Sequence, residues 1–481
     1  MDTTKKFDTI LRLIRQHHAE EAMEQLAMLK KSGTMEQGRL WRIHELYGAC
    51  FHDIGDAEGA AQAYWNAMQS DIYLRSQREH LSNYLFCLHY LPHLSDTVLF
   101  QQHLLAAKLY AEKGSNDKIL PSGDERQPLR IGFLAPDFCE QAAASFFAVP
   151  ICGLAALGWN VRCYSLSPQE DELTAKIKKS HAALISLDGM DLASAAERIR
   201  ADQLAILFDL GGHSAGGMTL MLSAMRLAPC QICGIGWFDT TGIPAVDAFL
   251  ADDASAPAAA DAFFTEQLLR LPHQFCYRPR PELSALPAKS PKLRNPIVFG
   301  SFNNYMKITD DMLHLWQEIL DALPNAKLVL KDTTPFPSRQ SHMKERLSSL
   351  GIDGSRIELR PASKDYLREY AGIDILLDTF PYPGGATTCE ALYMGVPVIT
   401  LAGTRYSSRM GASLLFAANL SEWIAFSEEE YIKYAVRLAQ NTEELRHWQK
   451  HLRAHLLAAP LMDEKRYVKD FAHALYSLQG K

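Results

Sequence analysis

Between residues 129 and 401 the chain runs twice through one alternation, short apolar β-forming runs separated by segments of helical period. The first pass has runs at 129–135, 161–166, 204–210 and 231–235, with helical-period stretches such as 191–201 between them. A break at 279–296 follows and holds five prolines. The second pass has runs at 297–302, 327–331, 356–359, 374–378 and 396–401, and the chain from Ser427 onward reads as helical. Strands that alternate with helices build mostly parallel sheets covered on both faces. Two similar halves joined by a linker predict two doubly wound, Rossmann-like lobes, with a cleft between them at the carboxyl ends of the strands.

Before this region the chain reads as helix after helix. Residues 41–71 fit one tetratricopeptide-like unit: Gly48 where two helices approach, Gly55-Asp56 at the turn, then Ala60, Tyr64 and Ala67 on the second helix. The flanking helical segments, 7–30 and 77–111, match the repeat poorly, which predicts a short or degenerate array packed on the rest of the protein. The polar, breaker-rich stretch 111–127 reads as a linker. The predicted division is a helical domain at 1–115, an N-terminal Rossmann-like lobe at 128–285 and a C-terminal lobe with terminal helices at 296–481.

Charge narrows the partners. Lysine plus arginine number 49 against 56 acidic residues in 481, a net charge of −7, which argues against a polyanion such as nucleic acid or an anionic membrane as main partner. No stretch approaches the roughly 18 uninterrupted apolar residues of a membrane span. The N-terminus lacks the apolar core of a signal peptide. The nine cysteines are scattered, as in a reducing compartment, so a cytoplasmic protein is expected. Cys230 and Cys233 form the one C-x-x-C, with no second pair to complete a zinc site; they read as strand cysteines.

Chemistry concentrates in 374–400, D-I-L-L-D-T-F-P-Y-P-G-G-A-T-T-C-E-A-L-Y-M-G-V-P-V-I-T. A buried strand ends at Asp378, a Pro/Gly turn follows, and a short helix opens near Thr387. Gly384 and Gly385 let backbone approach a ligand, and helix-start amides suit a diphosphate. Glu390 has two readings: a capping box with Thr387, or a carboxylate that accepts from ribose hydroxyls. In the first half, His213 lies in the loop after the 204–210 run, at a carboxyl end where ligands sit. It reads either as a general base or as a loop imidazole shaping the G-G-H-S-A-G-G turn. Asp137, beside the first strand end, is a second candidate base or a helix cap.

The motif D-T-F-P-Y-P-G-G-A-T-T-C-E-A-L-Y-M-G-V-P-V-I-T-L-A-G, ending at Gly403, resembles the C-terminal signature of the O-linked N-acetylglucosamine transferases and their bacterial relatives, the SPINDLY type among them. L-R-I-G-F-L-A-P-D-F from Leu129, D-L-G-G-H-S-A-G from Asp209 and R-L-A-P-C-Q-I from Arg226 match in order. So do G-I-G-W-F-D-T-T-G-I-P-A-V-D from Gly234, F-G-S-F-N-N-Y-M-K-I from Phe299 and S-R-M-G-A-S-L-L from Ser408. The resemblance covers the whole chain after the linker, and the helical N-terminus fits the family's tetratricopeptide repeats. It implies a fold of two Rossmann-like lobes of the GT-B type behind an all-α helical domain. The activity it implies is inverting, metal-independent transfer of a sugar from UDP, N-acetylglucosamine above all, to Ser or Thr of a protein, with no cofactor beyond the UDP-sugar donor. A surface or flagellar protein made in the same cytoplasm is one candidate acceptor.

Carried over by motif, Lys307 matches the lysine that neutralises the departing diphosphate, a place where a cation stabilises growing charge. Asn304 matches an amide side chain near the nucleotide, Thr387 a hydroxyl near the diphosphate with Thr388 beside it, and Glu390 the ribose-binding acid. The chain departs from the pattern at three places. Gln141 stands where many relatives carry a histidine and cannot take a proton near pH 7. Tyr366 stands where relatives often have histidine, and Gly385 with Ala386 replaces a polar pair. Two alternatives remain: an N-glycosyltransferase acting on Asn, and a catalytically inactive scaffold whose repeats bind a client.

Overall fold

The computed structural model describes residues 3–32, 40–110, 129–288 and 296–478. The linker read at 111–127 lies outside the described residues, as do positions 289–295 of the proline-rich break.

Among the described residues six helices precede the sheets: α1 (Thr3–Arg15), α2 (Ala19–Lys31), α3 (Leu40–Ile54), α4 (Ala57–Ser70), α5 (Leu74–Leu88) and α6 (Asp96–Tyr110). The two long flanking segments of the sequence reading are thus each a pair of helices. The first is broken at His17, whose φ of 60° leaves the helical region. The tetratricopeptide-like unit forms as its residues require. A Cβ on Gly48 would lie 2.7 Å from the Tyr64 ring, so only glycine admits that buried ring between α3 and α4. At the turn Gly55 takes φ 86°, and the Asp56 side chain caps α4 by accepting from the Gly59 amide at 2.8 Å.

Seven parallel strands form the first sheet: β1 (Arg130–Ala135), β2 (Asn160–Ser165), β3 (Ala183–Ser186), β4 (Ile206–Asp209), β5 (Cys230–Cys233), β6 (Ala248–Asp252) and β7 (Gln267–Leu271), in the order β3-β2-β1-β4-β5-β6-β7. The second sheet has six: β8 (Val298–Ser301), β9 (Lys327–Lys331), β10 (Ile357–Arg360), β11 (Ile375–Leu377), β12 (Val398–Leu401) and β13 (Ile424–Ala425), in the order β10-β9-β8-β11-β12-β13. Both are doubly wound α/β sheets, as the alternation predicts. Central strands such as β4 and β12 are buried along their whole length, because helices cover both faces and leave no polar side. The edge strand β3 is half exposed and β13 is two residues long; these two, with β6 and β7, have no counterpart among the runs read from the sequence.

Compactness groups the chain differently from three consecutive segments. One unit combines Met1–Leu94, Pro287–Gly403 and Glu422–Arg453, placing α1–α5 with the second sheet. The other combines Ser95–Leu286, Thr404–Ser421 and Ala454–Lys481, placing α6 and the last helix with the first sheet. Within the first unit the joint is polar and buried. Arg339 pairs with Asp332, each side chain only 1% exposed, and donates to the α3 carbonyls of His52 and Asp53 at 3.1 Å. No helix among the described residues is long and apolar enough to cross a membrane.

Candidate active site

In each sheet the strand order reverses at the centre, between β1 and β4 and between β8 and β11. Loops leaving two such strands diverge and open a crevice at their carboxyl ends. Every candidate residue follows one of these four strands: Asp137 follows β1, His213 follows β4, Asn304 and Lys307 follow β8, and Gly384 to Glu390 follow β11.

In the first unit the loops after β8 and β11 are tied together by Asp378, buried just past β11. Its Oδ1 accepts from the amides of Gly384 (2.7 Å) and Thr379 (3.0 Å) and from Asn303 Nδ2 (3.2 Å); its Oδ2 accepts from Thr400 Oγ1 (3.0 Å). Burial raises the Asp378 pKa, against the pull of these donors and of Lys307. Asn303 in turn accepts from Thr387 Oγ1 at 3.0 Å. The loop closes so tightly that a Cβ on Gly384 would come within 2.5 Å of Thr387 Oγ1 and 2.6 Å of Thr388 Oγ1. The Thr388 hydroxyl is fully buried and has no hydrogen-bond partner within the protein.

Lys307 reaches into this loop. Its Nζ donates to the Pro383 carbonyl at 2.9 Å and lies 4.7 Å from the centre of the Tyr382 ring. Burial lowers its pKa to about 8, with Asp378 pulling the other way. A partly desolvated ammonium beside a glycine loop and the start of the Ala386–Tyr393 helix is an anion-binding arrangement.

The capping-box reading of Glu390 is corrected here. Gly385 is the N-cap and no side chain caps the helix. The Glu390 carboxylate instead accepts from Tyr366 Oη at 2.8 Å and Tyr370 Oη at 3.4 Å, while Thr387 bonds Asn303. Tyr366 thus holds the acid. Asn304 faces other partners: its carboxamide oxygen accepts from the Met306 amide at 3.0 Å and from Arg339. Sequence reading missed Asn303, Asp378 and Tyr382 as site residues. All three lie inside the motifs, but a motif does not say which of two neighbouring asparagines turns inward.

In the second unit His213 is 1% exposed and ringed by Trp237, Tyr110 and His103, with centroids 5.0, 5.7 and 5.8 Å away. Burial first, and the neighbouring His103 second, hold its pKa well below the ordinary imidazole value. Asp137 is half-buried; its Oδ1 accepts from the Cys139 amide at 2.9 Å and from Gln141 Nε2 at 3.0 Å. Asp252-Asp253, an acidic doublet at the end of β6, is a turn device. Asp252 is buried and accepts from the Ser255 and Gln274 amides and from Ser413, while Asp253 is exposed. Cys230 and Cys233 are free thiols, both pushed up by burial, Cys230 to about 12.

Against known proteins, the model of glycosyl transferase family 41 matches residues 115–279 and 289–471. SPINDLY of Oryza sativa subsp. japonica, named as a probable UDP-N-acetylglucosamine–peptide N-acetylglucosaminyltransferase, is 34% identical over 427 residues, 86% of this chain and 45% of its own. SEC of Arabidopsis thaliana, of the same enzyme name, is 27% identical over 364 residues, 73% of this chain and 37% of its own. The chain therefore spans less than half the length of these curated relatives. The solved structure of a mutant of the Thermobaculum terrenum O-GlcNAc transferase superposes with a TM-score of 0.88 at 28% identity, covering 98% of this chain and 89% of that one.

Proposed function

We propose, the chain belonging to glycosyl transferase family 41, that it is an inverting, metal-independent glycosyltransferase. It moves a sugar from a UDP-sugar, UDP-N-acetylglucosamine foremost, to Ser or Thr of a protein acceptor in the cytoplasm. The observation that carries this reading is the cluster around Gly384. There the Lys307 ammonium, the buried unpartnered Thr388 hydroxyl and the amides opening the 386–393 helix converge on one tight loop. That cluster suits a diphosphate whose charge grows as the glycosidic bond breaks. The names of the relatives support the donor and the peptide acceptor.

In this reading Glu390, oriented by Tyr366, accepts from the ribose hydroxyls. Gly384, Gly385, Thr387 and Thr388 hold the diphosphate, Lys307 takes up the charge of departing UDP, and Asn304, held by Arg339, shapes the turn that carries Lys307. The acceptor oxygen attacks the anomeric carbon from the face opposite UDP and gives up its proton to a carboxylate or imidazole. Of the two candidates, Asp137 is the more accessible, and His213 is made a weak base by burial. The test is release of UDP from a panel of UDP-sugars. Turnover of at least one supports the reading; turnover of none would leave the inactive-scaffold alternative.

Two conditions should shape the activity. Lys307 works protonated, so kcat/KM should fall tenfold per pH unit above about pH 8, where the free enzyme loses that proton. The limb for kcat should lie higher, because bound diphosphate favours the ammonium. Profiles from pH 6 to 10 check this, and a flat alkaline side would contradict it. Activity should also survive EDTA, since a cation and helix-start amides carry the diphosphate charge without a metal. Loss in EDTA with recovery in manganese would contradict that.

A further inference from the structure

The helices α3–α5 and the turn after them meet the two loops of the donor cluster, after β8 and after β11, at three places, one of them bridged by Arg339. Gly55, at the turn between α3 and α4, packs on Tyr305: a Cβ placed on it would lie 3.6 Å from the Tyr305 Cβ. Arg339 spans the gap from the other side, donating to the carbonyls of His52 and Asp53 on α3 and to the carboxamide oxygen of Asn304. Past the end of α5, the Tyr90 ring sits 5.2 Å from the Tyr382 ring, with Phe86 of α5 at 6.1 Å. Tyr382 is the ring that Lys307 faces. Tyr305 is thus touched by the helical region directly, and Asn304 and Lys307 are each linked to it through one side chain, Arg339 and Tyr382.

We propose that α3–α5 and the turn carrying Tyr90 are positioning elements of the donor loop, so that the helical region sets the place and solvation of the Lys307 ammonium. This deepens the leaving-group role given to Lys307 above and rests on it. The physical chain is short. Tyr90 and Phe86 fix the Tyr382 ring, and the ring closes one side of the ammonium. Pro383, the next residue, supplies the carbonyl that Nζ bonds. The groups facing Lys307 are Asp378 from the end of β11 and Tyr382 from the loop. Behind Tyr382 stand Tyr90 and His89, the His89 ring at 6.4 Å. Removing the Tyr90 ring frees Tyr382 to move and lets water reach the ammonium, which restores part of its ordinary basicity and blurs its position.

The experiment uses the full chain with Tyr90→Ala, Tyr90→Leu and Tyr90→Phe. Leucine keeps apolar bulk should the alanine variant fail to fold; phenylalanine keeps the ring. The first readout is the titration of Lys307 itself, by competitive acetylation between pH 6 and 10 with quantitation of the labelled peptide. It needs neither donor nor acceptor. The second is single-turnover transfer beside the acceptor KM. Loss of the ring should raise the Lys307 midpoint by about one pH unit and slow transfer about ten- to hundredfold, with acceptor KM unchanged. Tyr90→Phe should restore both. A folded alanine or leucine variant that titrates Lys307 as the wild type does would overturn the proposal. A wild-type protein that turns over no UDP-sugar would sink the functional reading instead, and the titration would still decide this one.

Discussion

Lys307→Ala should lower turnover on the order of 100- to 1000-fold, the usual cost of removing one electrostatic donor aimed at developing charge. Its affinity for UDP should change by only about tenfold. UDP-sugar already carries a diphosphate in its ground state, and the Gly384 loop and helix-start amides hold that charge without the lysine. As the glycosidic bond breaks, a further negative charge collects on the leaving phosphate, and the partly desolvated ammonium gains most then. Lys307→Arg should rescue poorly. A planar fork does not fit the narrow space between the Pro383 carbonyl and the Tyr382 ring. Calorimetric affinity for UDP beside single-turnover transfer checks both variants. Near-wild-type transfer by the alanine variant would assign the leaving-group role elsewhere.

Deleting residues 1–94 should abolish donor binding together with transfer. The sequence, with all its donor motifs after the linker, suggests the opposite: that the helices serve the acceptor and can be removed at little cost to the donor. The structure revises that expectation. Without α3 the buried Arg339 guanidinium loses both backbone acceptors, and Tyr305 and Tyr382 lose the surfaces that cover them. Arg339→Ala is the milder version. It leaves the Asp332 carboxylate buried without its partner, which costs about 3–5 kcal/mol. Thermal unfolding and limited proteolysis of both proteins measure the effect. A truncated chain that keeps its fold and binds UDP normally would restore the view of the helices as a separate acceptor module.

Much of this architecture is legible in the residues because burial on both faces writes itself as apolar runs. β1, β4, β8, β9 and β12 all lie where such runs fall. Strands β3 and β6 carry apolar runs too, A-L-I-S and A-F-L-A-D, but were not read, because runs this short do not by themselves tell a strand from a helix segment. The site was partly legible. Glycines at 384 and 385, the lysine at 307 and the acid at 390 carry their chemistry in their identity. The partners of Glu390 did not: Tyr366 and Tyr370 lie 24 and 20 residues away in sequence, and only the fold brings their hydroxyls to one carboxylate. The grouping of α1–α5 with the second sheet was equally hidden. It depends on Arg339, an arginine that reads from sequence as an ordinary helix residue and proves 1% exposed.

The central claim is sugar transfer to protein through the Gly384–Lys307 cluster, and intact-mass analysis of acceptor proteins tests it most directly. The full chain and its Lys307→Ala variant are incubated with UDP-N-acetylglucosamine and cell lysate, and the modified residues are then mapped. The expected result is a mass increment of one N-acetylhexosamine on Ser or Thr of a discrete set of proteins, present with the wild type and nearly absent with the variant. No increment with this or any other UDP-sugar, or an equal increment from both proteins, would contradict it.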